Sequence, residues 1–97
     1  MSFTLSPEAE RDIEDLLFHS LLRFGPAQAQ KYRDGLTRTF RKIETYPEIA
    51  PIRLDFTPQP YRVSVYRAHV IIYASAGDSV TILRVLDSRR DWPGVFD

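Results

Sequence analysis

The residues best suited to chemistry in this sequence are arginines that gather in its last third, close to a tyrosine. Between residues 61 and 97 all five positively charged side chains are arginines, and none is a lysine. A guanidinium group binds a phosphate or a carboxylate through two parallel hydrogen bonds, and a tyrosine ring stacks on a base. The pattern therefore fits the binding of RNA phosphates or of an acidic peptide. The candidate binding residues are Arg62, Arg67, Tyr73, Arg84, Arg89 and Arg90.

Other kinds of site have little support in the sequence. Cysteine is absent, which excludes disulfides, zinc thiolates and thiol nucleophiles. The two histidines, His19 and His69, lack the spacing of metal ligands, and His69 beside a chain reversal is expected to be structural or on the surface. The four glycines are isolated, so no phosphate-binding loop is formed. Neither a metal nor a cofactor is expected.

The charges of the 97-residue chain sum to zero, with 13 basic and 13 acidic residues. This balance excludes a nucleic-acid binder driven by bulk charge and an acidic disordered tail. The charges are nevertheless separated, since residues 1–24 carry five acids and two bases whereas residues 25–60 carry six bases and four acids. Such opposed patches suit a protein whose partners are other proteins. The length predicts one domain over residues 1–97, and without a signal peptide or an apolar run of membrane length we expect a cytoplasmic protein.

Helix signals dominate the first half of the chain. Residues 3–5 alternate as a short strand, and Ser6 and Pro7 then provide an N-cap and a first helical residue. Apolar residues at three- and four-residue spacing predict one buried face for the helix that follows. Gly25 and Pro26 predict the end of this helix and the start of a second one, which runs to about Tyr46. Gly35 inside the second helix indicates a close crossing of the two helices.

Strand signals dominate the second half. Four prolines between residues 47 and 60 predict a loop, with an extended segment around residues 52–54. Strands are predicted over residues 61–66, 69–75 and 80–86, and the last two are joined by a tight turn at Gly77-Asp78. Strict alternation would place Arg84 on one face with Val80, Ile82 and Leu86, where a charge must be partnered or lie at the rim of a cleft. The predicted fold class is α+β, in the order β-α-α-β-β-β, with a helical hairpin packed on a small, mostly antiparallel sheet.

Four segments, taken together, resemble the RelE/ParE toxin superfamily over nearly the whole chain. They are LSPEAERDI at residues 5–13, FGP at 24–26 before a helix that carries a tyrosine, VIIY at 70–73 and ILRVLDSRRD at 82–91. The resemblance implies the toxin half of a type II toxin–antitoxin module, neutralised by a small antitoxin that is commonly ParD-like. The C-terminal segment of such an antitoxin would fold along the helices and sheet of the toxin.

Two activities occur in this superfamily, and the sequence favours the ParE branch. RelE-like members are ribosome-dependent mRNA endoribonucleases, which need a proton donor near the C-terminus. Related sequences often have histidine and glycine after the Arg-Val-Leu strand, where this chain has Asp87 and Ser88. ParE-like members inhibit DNA gyrase by protein–protein contact, without catalysis.

We therefore expect a non-enzymatic gyrase inhibitor that makes no direct sequence-specific contact with nucleic acid and touches no membrane. An mRNA endoribonuclease and a non-toxic module that only binds antitoxin remain as alternatives. The expected contacts with the target or the antitoxin are Arg84, Arg89, Arg90, Asp91 and Trp92, besides Arg62, Arg67 and Tyr73.

Overall fold

A short strand and a helical hairpin open the computed structural model, which describes residues 2–89. Strand β1 (Ser2–Leu5) leads directly into helix α1 (Pro7–Phe24), and the Oγ of Ser6 accepts a hydrogen bond from the N–H of Ala9 at 3.0 Å. This side-chain cap satisfies one of the free amide groups at the helix start, as predicted. Gly25, at a φ of 88°, ends α1 and precedes helix α2 (Pro26–Thr45). Its positive φ explains why glycine stands at this junction.

Three strands follow the hairpin after a proline-rich connection. A single turn of 3₁₀ helix (Pro47–Ile49) begins the connection, and the backbones of Arg53 and Tyr61 then pair as an isolated antiparallel bridge. The strands are β2 (Arg62–Tyr66), β3 (His69–Ala76) and β4 (Ser79–Asp87). The predicted α+β order, β-α-α-β-β-β, is confirmed.

The four strands form one sheet in the order β1-β4-β3-β2. β2 pairs with β3 and β3 with β4 in antiparallel fashion, whereas β1 runs parallel to β4 from Ser2 opposite Ser79 to Leu5 opposite Ile82. The sheet is therefore mostly antiparallel, as predicted. Because β1 ends at Leu5, the outer edge of β4 beyond Leu83 has no neighbouring strand, and this open edge helps to form the site described below.

Both helices pack on one face of the sheet and bury the main core. Leu36, Phe40 and Ile43 of α2 and Ala9 of α1 lie against Tyr73, Ile71, Val80, Ile82 and Val85 of the sheet. A second cluster, Tyr61, Val70, Ile72 and Leu86, lies apart from this core. No helix among residues 2–89 is long and apolar enough to cross a membrane.

The predicted alternation of β4 is wrong beyond Ile82, because the pairing of β4 with β3 is irregular. Ile82 pairs with Tyr73 and Arg84 with Ile72, so Leu83 has no partner of its own on β3. An extra residue of this kind shifts the alternation of the strand. Val80 and Ile82 face the helices as expected, but Val85 continues that face and Leu86 belongs to the second cluster.

The prediction that Gly35 marks a close crossing of the two helices is also wrong. Gly35 is buried on α2, but the side chain that approaches it is Tyr66 of β2 and not a residue of α1. A Cβ at this position would overlap the hydroxyl oxygen and Cζ of Tyr66. The glycine therefore allows close packing of helix on sheet, which brings Tyr66 against Tyr32 at a ring-centroid distance of 5.2 Å.

Candidate functional site

An open cleft of about 750 Å³ lies where the open edge of β4 meets the helical hairpin. The end of α1, the start of α2, the turn between β2 and β3 and the end of β4 each contribute to its wall. Phe24, Tyr32 and His69 supply aromatic surface. Its charged residues are of both signs: Arg23, Arg67, Arg89, Asp12, Asp15 and Asp87. This size and this mixture of aromatic and polar groups are typical of a ligand site or of the docking site of a peptide segment. We refer to it as the cleft.

A hydrogen bond between Tyr32 and His69 forms one wall of the cleft. The hydroxyl of Tyr32, on α2, lies 2.5 Å from Nδ1 of His69, the first residue of β3. The two rings meet edge to face at 5.4 Å, and the ring of Tyr32 also meets Tyr66. A pair fixed by both a hydrogen bond and ring packing gives this part of the cleft a defined shape.

Burial adjusts the protonation of this pair. Desolvation lowers the pKa of His69, opposed by the negative charge of Asp87. Desolvation likewise raises the pKa of Tyr32. Both shifts favour the neutral forms, so the Tyr32–His69 pair is an uncharged hydrogen-bonding unit at neutral pH.

Arg67 lies at the tip of the β2–β3 turn in a backbone conformation that arginine rarely adopts. Its φ is 51°, and it has the only positive φ of a non-glycine residue within residues 2–89. Its guanidinium lies 5.7 Å from the ring centroid of Tyr66, and its Nε donates a hydrogen bond to the hydroxyl of that tyrosine at 3.3 Å. No carboxylate of the described residues pairs with Arg67. A cation is therefore held at the cleft although glycine or asparagine would fit the backbone better.

Asp87 and Arg89 neutralise each other at the end of β4. The Nε and Nη2 of Arg89 donate to the Asp87 carboxylate at 3.2 and 3.0 Å, and the Arg89 backbone N–H donates to it at 2.9 Å. The Arg89 side chain and backbone lower the pKa of Asp87 to about 2. Arg89 therefore presents a guanidinium whose charge is largely balanced by its own neighbour.

Arg84 is tied to α1 through Asp12. Its Nε and Nη2 donate to the two carboxylate oxygens of Asp12 at 2.7 and 3.0 Å. One of these oxygens also accepts the backbone N–H of Val85 at 3.0 Å, where β1 no longer covers the edge of β4. Asp12 lines the cleft, and its hydrogen bond raises the pKa of Arg84. Arg84 is thus partnered, as its position in an apolar strand requires.

Arg62 and Tyr73 lie elsewhere and do not line the cleft. An Nη atom of Arg62 donates to the carbonyl oxygen of Ala50, and the Tyr73 hydroxyl donates to that of Pro47 at 2.8 Å. Tyr73 is fully buried, and burial raises its pKa. These two residues fasten the proline-rich connection to the sheet.

The structure therefore divides the candidate residues predicted from the sequence. It brings Arg67 and Arg89 to the cleft, places Arg84 behind its wall, and gives Arg62 and Tyr73 structural contacts. Arg90, Asp91 and Trp92 lie outside the described residues.

Tyr32, His69 and Phe24 also belong to the site, although the sequence does not single them out. Tyr32 has the spacing of a core residue on α2, and His69 begins an apolar strand. The one feature of the sequence that could have indicated Tyr32 and His69 is their polar groups, because a tyrosine hydroxyl and an imidazole close to a core both need a hydrogen-bond partner. Nothing in the sequence indicates that two groups 37 positions apart are partners. Within residues 2–89, no three histidine or acidic side chains are grouped closely enough to hold a metal ion.

Comparison with known proteins identifies relatives of the chain. A family model described as the ParE toxin of the type II toxin–antitoxin system parDE matches residues 3–92. A solved structure described as the chromosomal ParDE TA system from P. aeruginosa is similar to 90% of this chain and 95% of its own, with 18% sequence identity and a TM-score of 0.75. No curated protein sequence matches the chain. The family match is carried by the sequence, and the structural match confirms the fold.

Proposed function

Because the chain belongs to the ParE toxin family of type II toxin–antitoxin systems, we propose that it is the toxin half of such a module. In this proposal the toxin inhibits DNA gyrase by protein–protein contact, and a ParD-like antitoxin neutralises it. The solved relative is a ParDE system, which supports an antitoxin partner.

The observation that carries a contact mechanism is that three of the candidate arginines already have partners within the chain. Arg84 is neutralised by Asp12 and Arg89 by Asp87, while the guanidinium of Arg62 is bound to a backbone carbonyl. Guanidinium groups that stabilise a reacting phosphate must be aimed at the substrate and free of other anions. Arg84 and Arg62 are tied to other elements of the fold, and the exposed Arg89 is paired with Asp87, which favours binding over catalysis.

The cleft fits a segment of an antitoxin that becomes ordered on binding. Such segments place apolar side chains into grooves and pair their charges at the rim. Phe24 and Tyr32 offer apolar surface, and Arg67 offers a cation without a carboxylate partner among residues 2–89. We therefore propose that the antitoxin segment carries an acidic residue that reaches Arg67.

Gyrase assays test the proposed target. Purified full-length protein is added to DNA gyrase, and both supercoiling and the accumulation of cleaved DNA are followed. We expect inhibition at a stoichiometric ratio and its reversal by the cognate antitoxin. No effect at a large molar excess would contradict the proposal. Arg67→Ala is compared with Lys31→Ala, an exposed change on α2 outside the cleft, and only Arg67→Ala is expected to weaken reversal by the antitoxin.

One observation favours a second function, ribosome-dependent cleavage of mRNA. The cleft contains an imidazole, His69, hydrogen-bonded to Tyr32 and lying in the same cleft as Arg67, which provides a group for proton transfer beside a cation. This function predicts cleavage of translated mRNA that is abolished in His69→Ala. A chain that affects neither gyrase nor mRNA, and whose expression without antitoxin causes no growth defect, would instead be a non-toxic module that binds antitoxin.

A further inference from the structure

A second groove lies on the helical hairpin, outside the cleft and sharing none of its residues. It has a volume of about 480 Å³ and runs between α1 and α2. Leu17, Phe18 and Leu21 form its apolar wall on α1, and the Phe18 side chain is 57% exposed. Glu14 and Arg33 stand on opposite helices at its rim. We refer to it as the hairpin groove.

The two helices that border this groove carry opposite charges. Glu14 of α1 and Arg33 of α2 are the charged residues that line the groove, whereas Asp12 and Asp15 of α1 line the cleft. No ion pair joins the two helices within the described part of the chain, and neither Glu14 nor Arg33 pairs there with another side chain. The hairpin groove is therefore an apolar strip with an acidic flank at Glu14 and a basic flank at Arg33, and these two side chains do not pair with each other.

We propose that the hairpin groove binds a second copy of this chain, forming a symmetric dimer of four helices. A two-fold axis parallel to the helices places α1 of one copy over α2 of its partner in antiparallel orientation. This arrangement sets each acidic flank against a basic flank, brings Glu14 of each copy to Arg33 of the other, and covers Phe18 and Leu21. The same patch then serves both copies, as an isologous interface requires.

Charge complementarity is the argument for a second copy as the occupant. A partner that satisfies this face must carry an apolar strip with an acidic flank on one side and a basic flank on the other. The hairpin of the same chain has that pattern in the required order, and a two-fold rotation aligns it. The alternative two-fold axis, perpendicular to the helices, would set α1 against α1 and place like charges together, so the electrostatics select one arrangement.

Sedimentation equilibrium of the purified full-length chain tests the proposal. The measurement covers about 1 µM to about 1 mM, the range in which small interfaces dissociate. We expect the apparent mass to rise from that of one 11.3 kDa chain to twice that value. Leu21→Asp should prevent the rise. Leu22→Asp, the same change at a more exposed leucine one position outside the groove, should leave it unchanged.

Charge reversal tests the arrangement of the two copies. Glu14→Arg and Arg33→Glu should each weaken dimerisation at least about tenfold, because each change creates two repulsive contacts across the interface. The double variant should restore dimerisation, since the two charges are exchanged. A chain that stays monomeric throughout the concentration range overturns the proposal. It is also overturned if Leu21→Asp weakens binding of the antitoxin without affecting self-association, because the occupant is then the antitoxin. None of these outcomes depends on gyrase or ribosome activity.

Discussion

Asp12 binds Arg84 through both carboxylate oxygens, at 2.7 and 3.0 Å, across 72 positions of the sequence. It also accepts the N–H of Val85 at the open edge of β4. This side chain thus supplies the acceptor that a neighbouring strand would offer to the Val85 N–H. Asp12 therefore joins α1 to β4 in addition to the apolar packing of Ala9, and it helps to fix the position of the cleft wall.

Removal of Asp12 should destabilise the protein. Asp12→Ala leaves Arg84 and the Val85 N–H without their acceptor in a largely buried place, although both side chains keep some exposure to solvent. Removing one partner of a fully buried pair costs about 3–5 kcal/mol, so we expect about 2 kcal/mol here. Urea denaturation followed by circular dichroism measures the loss. Asp15→Ala, an exposed change on the same helix, should stay within about 0.5 kcal/mol of the parent.

Acid should weaken the fold between about pH 4 and pH 2. Hydrogen bonds from Arg53 and, to a smaller extent, from Tyr61 lower the pKa of Asp55 to about 2. Hydrogen bonds from Arg89 lower the pKa of Asp87 to about 2. A carboxyl whose pKa is lowered by folding stabilises the folded state while it is ionised, and this contribution disappears as the pH falls through the folded value. Thermal unfolding measured at several pH values should show this decline.

The double variant Asp55→Asn/Asp87→Asn provides the control for the acid effect. It should be less stable than the parent at pH 7 and should lose less stability on acidification. An unchanged pH profile in the double variant would show that other groups cause the decline.

Gly35→Ala should destabilise the protein although alanine favours helices. Alanine in a helix gains about 1 kcal/mol over glycine, but here its methyl group collides with Tyr66. Overpacking of this kind costs about 1–3 kcal/mol, so we expect a net loss. Chemical denaturation measures it, and the loss should shrink or reverse in a Tyr66→Leu background, which frees the space.

Arg67→Gly should separate stability from binding. Glycine adopts the φ of 51° without steric cost, so the folding stability should be unchanged or rise by up to about 1 kcal/mol. The same change removes the guanidinium that we propose as the contact of the antitoxin, and it should weaken antitoxin binding, measured by calorimetry. A variant with unchanged affinity would remove Arg67 from the proposed interface.

The helix boundaries could be predicted from the sequence because local residues determine them. Ser6, Pro7, Gly25 and Pro26 act within one turn of chain, and the structure places them as expected. The orientation of β4 could not be predicted, since the irregularity at Leu83 depends on how β4 pairs with β3. Gly35 illustrates the same limit, because its small size was evident but its neighbour Tyr66 lies on another element.

The sequence indicates the arginines of the cleft but not its Tyr32–His69 pair, for a related reason. Residue type alone selects every arginine as a candidate. It therefore indicates Arg67 and Arg89, which line the cleft, and equally Arg62 and Arg84, whose guanidinium groups are bound within the fold. Tyr32 and His69 resemble core residues until their side chains are seen together. Distinguishing a binding arginine from a structural one requires its partner, which the sequence does not indicate.

The parallel pairing of β1 with β4 determines when the four-stranded sheet can form during translation. β2, β3 and β4 are joined by tight hairpins, whereas Thr4 meets Thr81 only across 77 positions. Closing so long a loop costs more entropy than closing a hairpin, which makes this contact a late step in folding. On the ribosome, the helical hairpin emerges long before the strand that completes the sheet and the wall of the cleft. A partly translated chain therefore lacks the cleft, so the docking site that we propose for the antitoxin is complete only when translation of this domain is nearly finished.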